Sequence, residues 1–246
     1  MIRPVATAIA LLMLASAYGT TVLAGASYDV EWFDGAQAAP AARDAVEQLL
    51  SEPWPDPIDV QSEAPREDRA PTTLGSCSDY LDLADRRLRP VHGGTTRVIL
   101  QARALTCQAA RLTLAAQPAA ISHLRTLAFD ADLPDHLPWQ VAMILSGSEA
   151  QQIAAERPDA SWREALFTPL TGFSSCGEHC GRYDDESATQ TVQLVARGDF
   201  DGDGIEDVLL SAYDTAKGGS HQSSRMFVLT RRTPDGEIEL IRELDY

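Results

Sequence analysis

Apolar and polar side chains alternate along residues 191–197, with Val192, Leu194 and Ala196 set against Thr191, Gln193 and Arg197. That period of two is the mark of a half-buried strand. Residues 207–213, 225–231 and 237–242 read as three further strands, and Thr233, Pro234, Asp235 and Gly236 form a turn before the last. Four closely connected strands imply an antiparallel meander. One small sheet has little apolar surface to bury alone, so a helical part should cover one of its faces. The expected fold class is therefore α+β, a helical N-terminal half packed against a C-terminal four-stranded antiparallel meander.

The period lengthens upstream. Ala42, Val46, Leu49 and Leu50 give residues 38–52 a rough helical face, with Pro40 in the first turn and Pro53, Pro55 and Pro57 stopping it. Residues 52–73 are rich in Pro, Asp, Glu and Arg and read as a linker, tacked to the body by Trp54 and Ile58. Ser76 or Ser78 caps a helix carrying Tyr80, Leu81, Leu83, Ala84 and Leu88, which Pro90, Gly93 and Gly94 break. A second helix starts at Thr95 or Thr96, carries Val98, Leu100, Leu105, Ala109, Leu112 and Leu114, and ends before Pro118. Residues 122–129 and 137–145 read as short helices or core segments, and Ser148 with Gln151 resembles a capping box. The expected organisation is a signal peptide at 1–26, a Pro-rich and partly disordered arm at 27–75, a helical region at 76–170 and a β-region at 171–246.

Charge narrows the partners. The chain has 246 residues, 44% hydrophobic and 23% charged, with a formal charge of -16 and a pI near 4.6. Nucleic acid and anionic membrane surfaces repel such a chain, whereas a cation or a basic partner suits it. Arg3, the apolar residues 5–17 and the small-residue sites at Ala15–Ala17 and Ala24–Ala26 read as an export signal. The alternative is an uncleaved anchor. Export puts the mature chain in the periplasm or outside the cell, with no membrane span after cleavage. It also makes disulfides the natural state of Cys77, Cys107, Cys176 and Cys180. Of three possible pairings, Cys77–Cys107 and Cys176–Cys180 are favoured. The rival is zinc held by Cys176, His179 and Cys180.

The chemistry gathers between the first two strands. Asp199, Asp201, Asp203 and Asp207 stand at positions 1, 3, 5 and 9 of a loop, with Gly204 at position 6 and the Ile205 carbonyl at position 7. Calcium is bound by hard oxygens at such alternate positions around a glycine turn. Like charges this crowded repel unless a cation, a basic partner or open solvent relieves them. Position 12 is Leu210 and the flanks are strands, so the helix-loop-helix sensor does not apply.

The run from Asp199 through Phe200, Asp201, Gly202, Asp203, Gly204, Ile205 and Glu206 to Asp207, Val208 and Leu209 resembles the calcium loop of FG-GAP and VCBS repeats. Those repeats build β-propellers, with the ion in a hairpin loop between neighbouring strands of a blade. The resemblance implies Ca2+ held by Asp199, Asp201, Asp203, the Ile205 carbonyl and Asp207. Only one copy is present, so it implies one blade-like sheet and not a propeller. The rest of the chain resembles small exported proteins of Gram-negative bacteria, which adds location and no chemistry.

Three functions follow. The first is an exported structural or protein-interaction module with a calcium-stabilised hairpin, serving an envelope or secreted protein partner. The second is a hydrolase near loop 214–224, built on His221 with Ser220, Ser223 or Ser224. The third is a carbohydrate-binding lobe that uses Tyr213, His221 and the aspartates. No residue carries a catalytic assignment, and the chain has no phosphate-binding glycine loop or dinucleotide fingerprint.

Overall fold

The computed structural model describes residues 27–33, 35, 39–63, 70–143 and 146–246. The export signal at 1–26 lies outside the described residues. Along the chain come β1 (Glu31–Trp32), α1 (Arg43–Ser51), β2 (Ile58–Ser62), β3 (Thr72–Leu74), α2 (Cys77–Leu81), β4 (Leu88–Pro90) and α3 (Thr95–Ala115). They are followed by α4 (Leu133–His136), α5 (Gly147–Glu156), α6 (Trp162–Ala165), β5 (Gly172–Gly177), β6 (Cys180–Asp184), β7 (Ala188–Gly198), β8 (Asp207–Ala216), β9 (Gln222–Thr230) and β10 (Glu239–Glu243).

The meander β7 to β10 forms in the expected order, but it is only part of a seven-stranded antiparallel sheet. Strands β6 and β5 extend it at one side, and β1 pairs with β7. The expectation of a helical N-terminal half against a four-stranded sheet is therefore corrected: helices and strands are interspersed. A second sheet, in the order β3-β2-β4, occupies part of the stretch read as linker and helix. Ile58, Val60 and Leu74 are buried there, and Leu88, read as helical, lies in β4.

Both faces of the large sheet are covered, not one. Val192, Leu194, Val208, Leu210, Phe227 and Leu229 pack under the segment that carries Leu124, Leu133, Leu137 and Trp162. Val195, Ala196, Leu209, Met226 and Val228 face Leu105 and Ala109 of α3 and Val46 of α1. A bulge between Leu194 and Ala196 lets β7 present both Val195 and Ala196 to the second face.

Local signals fixed some boundaries and misplaced others. The Ser76 hydroxyl accepts the Asp79 N–H at 3.2 Å and caps α2, which is only one turn long. Helix α5 is capped by Ser146, which accepts the Glu149 N–H at 3.2 Å, and not by Ser148. Both favoured disulfides form: Cys77–Cys107 ties α2 to α3, and Cys176–Cys180 closes the β5–β6 hairpin. All four sulfurs are so engaged, and His179 sits edge-on to Phe33 at 4.7 Å between ring centres. No thiolate is left there to hold zinc.

Candidate metal centre

The loop between β7 and β8 is shaped by its own carboxylates. Asp199 accepts from the Gly202 N–H at 2.6 Å through Oδ1 and from the Gly204 N–H at 2.9 Å through Oδ2. Asp201 accepts from the Asp203 N–H at 3.1 Å, and Asp203 from the Ile205 N–H at 2.8 Å. The Phe200 N–H closes the loop onto Asp207 Oδ2 at 2.9 Å. Gly202 and Gly204 take φ of 85° and 83°, a region other residues enter only at a cost.

The segment after α3 clamps the loop from outside. Gln117 and Asp199 exchange backbone hydrogen bonds at 3.1 and 2.9 Å. The Ala120 and Ile121 N–H groups both donate to the Gly204 carbonyl, and the Glu206 N–H donates to the Ile121 carbonyl at 2.7 Å. These clamping bonds use the Gly204 carbonyl and leave the Ile205 carbonyl out.

Asp199, Asp201 and Asp207 come together, with one carboxylate oxygen of each within 4.8 Å of the others. Oxygens on opposite sides of a calcium ion at about 2.4 Å are roughly that far apart. Asp203 stands aside: its Oδ2 lies 2.6 Å from Arg232 Nη1. The same guanidinium is 3.8 Å from Asp201 and 3.5 Å from Glu239, so it screens the outer rim of the loop.

Asp207 is the buried wall of the cluster. It is fully inaccessible, and Asp199 is only 5% exposed. Burial pushes the Asp207 carboxyl up to about 6, against the Phe200 N–H and the nearby Thr230 hydroxyl, which favour its charged form. The charges of Asp201 and Asp203 add to the rise. Thr230 is near enough to exert that pull, yet neither its hydroxyl nor Asp207 Oδ1 completes a hydrogen bond of ordinary geometry. A buried carboxylate oxygen without a partner, beside two more carboxylates, has the donor character a hard divalent cation needs.

Glu206 turns the other way and anchors the loop to the body. Its carboxylate lies 2.6 Å from Arg125 and 3.6 Å from Arg197, and accepts from the Ser122 hydroxyl at 2.7 Å. Arg125 also reaches Glu31 at 2.7 Å, and Arg197 donates to the Leu124 carbonyl at 3.0 Å. Burial lowers the Arg197 guanidinium from its usual range, and Glu206 opposes that shift. Sequence reading counted Glu206 only as one more acid and missed Arg125, Arg197 and Arg232. Arg197 directly precedes the loop on β7, but Arg125 and Arg232 meet it only through the tertiary fold, so no spacing signal links them.

The other candidate groups are placed differently. The Ser223 hydroxyl donates to buried Asp214 at 3.1 Å, where Arg225 also binds at 3.0 Å, and His221 is exposed. Burial raises the Asp214 carboxyl, with Arg225 opposing. Tyr213 is exposed on β8.

Fold and loop together define an α+β protein with an acidic hairpin cluster that can coordinate a divalent cation. No helix among the described residues is long and apolar enough to cross a membrane. No family model matches the chain, and no curated protein or solved structure matches it.

Proposed function

We propose that the chain is an exported structural or protein-interaction module whose β7–β8 hairpin is locked by calcium. The ligands are Asp199, Asp201, Asp203, the Ile205 carbonyl and Asp207, with Asp203 exchanging Arg232 for the ion. One observation carries the reading: Asp199, Asp201 and Asp207 converge with Asp207 buried and its Oδ1 unpartnered. The likeness of the loop to FG-GAP and VCBS calcium loops, and the two disulfides expected of an oxidising compartment, support it. The ion acts as a clip. It fixes a surface hairpin on a rigid sheet, which an envelope or secreted protein partner then meets in one conformation.

Thermal unfolding tests this. Calcium at a hundred times its dissociation constant stabilises the fold by about 2.7 kcal/mol, because it binds only the folded state. The gain should vanish in Asp201→Ala. It should also fade with acid, and the sign follows from Asp207. Its raised folded-state value makes protonation stabilising below the ordinary 3.8, and that contribution is lost as pH rises through about 6. Calcium binds the charged form, so its effect grows over the same rise. An equal calcium shift in wild type and Asp201→Ala would remove the proposed site.

A further inference from the structure

A second charged feature gathers arginines. Arg86, Arg87, Arg89 and Arg97 line one open groove of about 590 Å³, beside β4 and the start of α3. Among the described residues none of the four makes a side-chain hydrogen bond or ion pair, although the chain carries 36 acidic residues against 20 basic ones. Elsewhere Arg43, Arg125, Arg163, Arg182, Arg225 and Arg232 hold carboxylates, while Arg111 and Arg242 stand singly and form no such group. The groove also contains Glu63, Asp85 and Asp245, none of them paired to these guanidinium groups.

The end of α3 adds to the field. This 21-residue helix begins beside the groove with Gly94 as its cap, no side-chain capping bond and no acid in its first turn. Arg97 occupies that first turn, where a cation opposes the helix dipole. Unpaired guanidinium forks in a concave site are suited to bidentate recognition of oxyanions. Tyr80 and Tyr246 supply apolar ring surface in the same groove.

We infer that this groove binds a small multivalent oxyanion, a phosphate or sulfate group free or on a small organic carrier. The net charge of -16 sets the size. An extended polyanion or an anionic bilayer meets the repulsion of the whole molecule, whereas a small anion inside the groove feels mainly charges within a Debye length of about 8 Å.

The test is calorimetric titration of the full chain with inorganic pyrophosphate, at an ionic strength of about 0.1 M, where the Debye length is about 10 Å. The expected result is one saturable site that weakens with added salt. The double substitution Arg89→Ala with Arg97→Ala should lower affinity by roughly tenfold or more, from loss of charge-assisted bonds. Both side chains are exposed, so an unchanged melting temperature confirms that the fold is intact. Arg242→Ala, on β10 and not among the residues that line the groove, should leave binding unchanged. Absence of saturable heat in wild type, or an equal loss in Arg242→Ala, overturns the site. Sedimentation with phosphatidylglycerol vesicles is the second arm: no binding is expected. Vesicle binding lost in the double variant would overturn the free ligand in favour of a lipid headgroup.

Discussion

Glu206→Gln is expected to cost the fold about 3–5 kcal/mol, the range for removing one partner of a buried ion pair. The reason is what remains. Arg197 keeps its charge with its side chain only 4% exposed, and the carboxylate opposite it is gone. Arg125 suffers less, being a third exposed and still paired with Glu31. The exposed pair Arg43–Glu47 gives the contrast, since Glu47→Gln should change stability by about 0.5 kcal/mol or less. Chemical denaturation of both variants measures the difference. The loop should respond as well, because Glu206 anchors the residue beside Asp207, and calcium affinity should fall with stability. Equal costs for the two substitutions would mean that water reaches Arg197 and that the network is not an anchor.

Removing the Cys77–Cys107 disulfide by substituting alanine at both positions should cost about 3–4 kcal/mol. That is the chain-entropy value for a sequence separation of 30. Removing Cys176–Cys180, with a separation of 4, should cost about 2 kcal/mol on the same basis. The effects differ in place as well as size. The first bond joins α2 to α3 inside the cluster formed by Ile58, Val60, Leu74 and Leu100. The second pins a hairpin at one edge of the large sheet. Urea midpoints of the two double variants should therefore fall in that order. The reverse order would show that the unfolded chain is already constrained around Cys77 and Cys107.

Strands β7 to β9 were legible because each is half-buried or buried and carries its apolar residues in its own sequence, and β10, mostly exposed, was legible through Leu240 and Ile241. Strand β5 was not. All its residues from Gly172 to Cys176 are exposed, so nothing in the alternation marks it, and pairing with β6 makes it a strand. Ile58 and Val60 do alternate, but Pro53, Pro55 and Pro57 and the charges after Ser62 hid them within an apparent linker. Leu83, Ala84 and Leu88 continue a helical period that α2 abandons after one turn, because Leu88 is taken up by the small sheet. The aspartates of the metal loop were readable because their geometry is local: Asp199, Asp201 and Asp203 turn the backbone two to five residues ahead, and Asp207 closes back onto Phe200. Arg197 stands at the base of the same hairpin, two residues before Asp199, whereas Arg232 and Arg125 come from distant parts of the chain, so their meeting with that loop is a property of the topology.

The most direct measurement is calcium titration of the protein by calorimetry near pH 7.5, repeated on Asp201→Ala. The expected result is a single saturable site in the wild type and no measurable binding in the variant. Absence of heat in the wild type, with calcium in excess and at every temperature tried, would contradict a cation held between Asp199, Asp201 and Asp207.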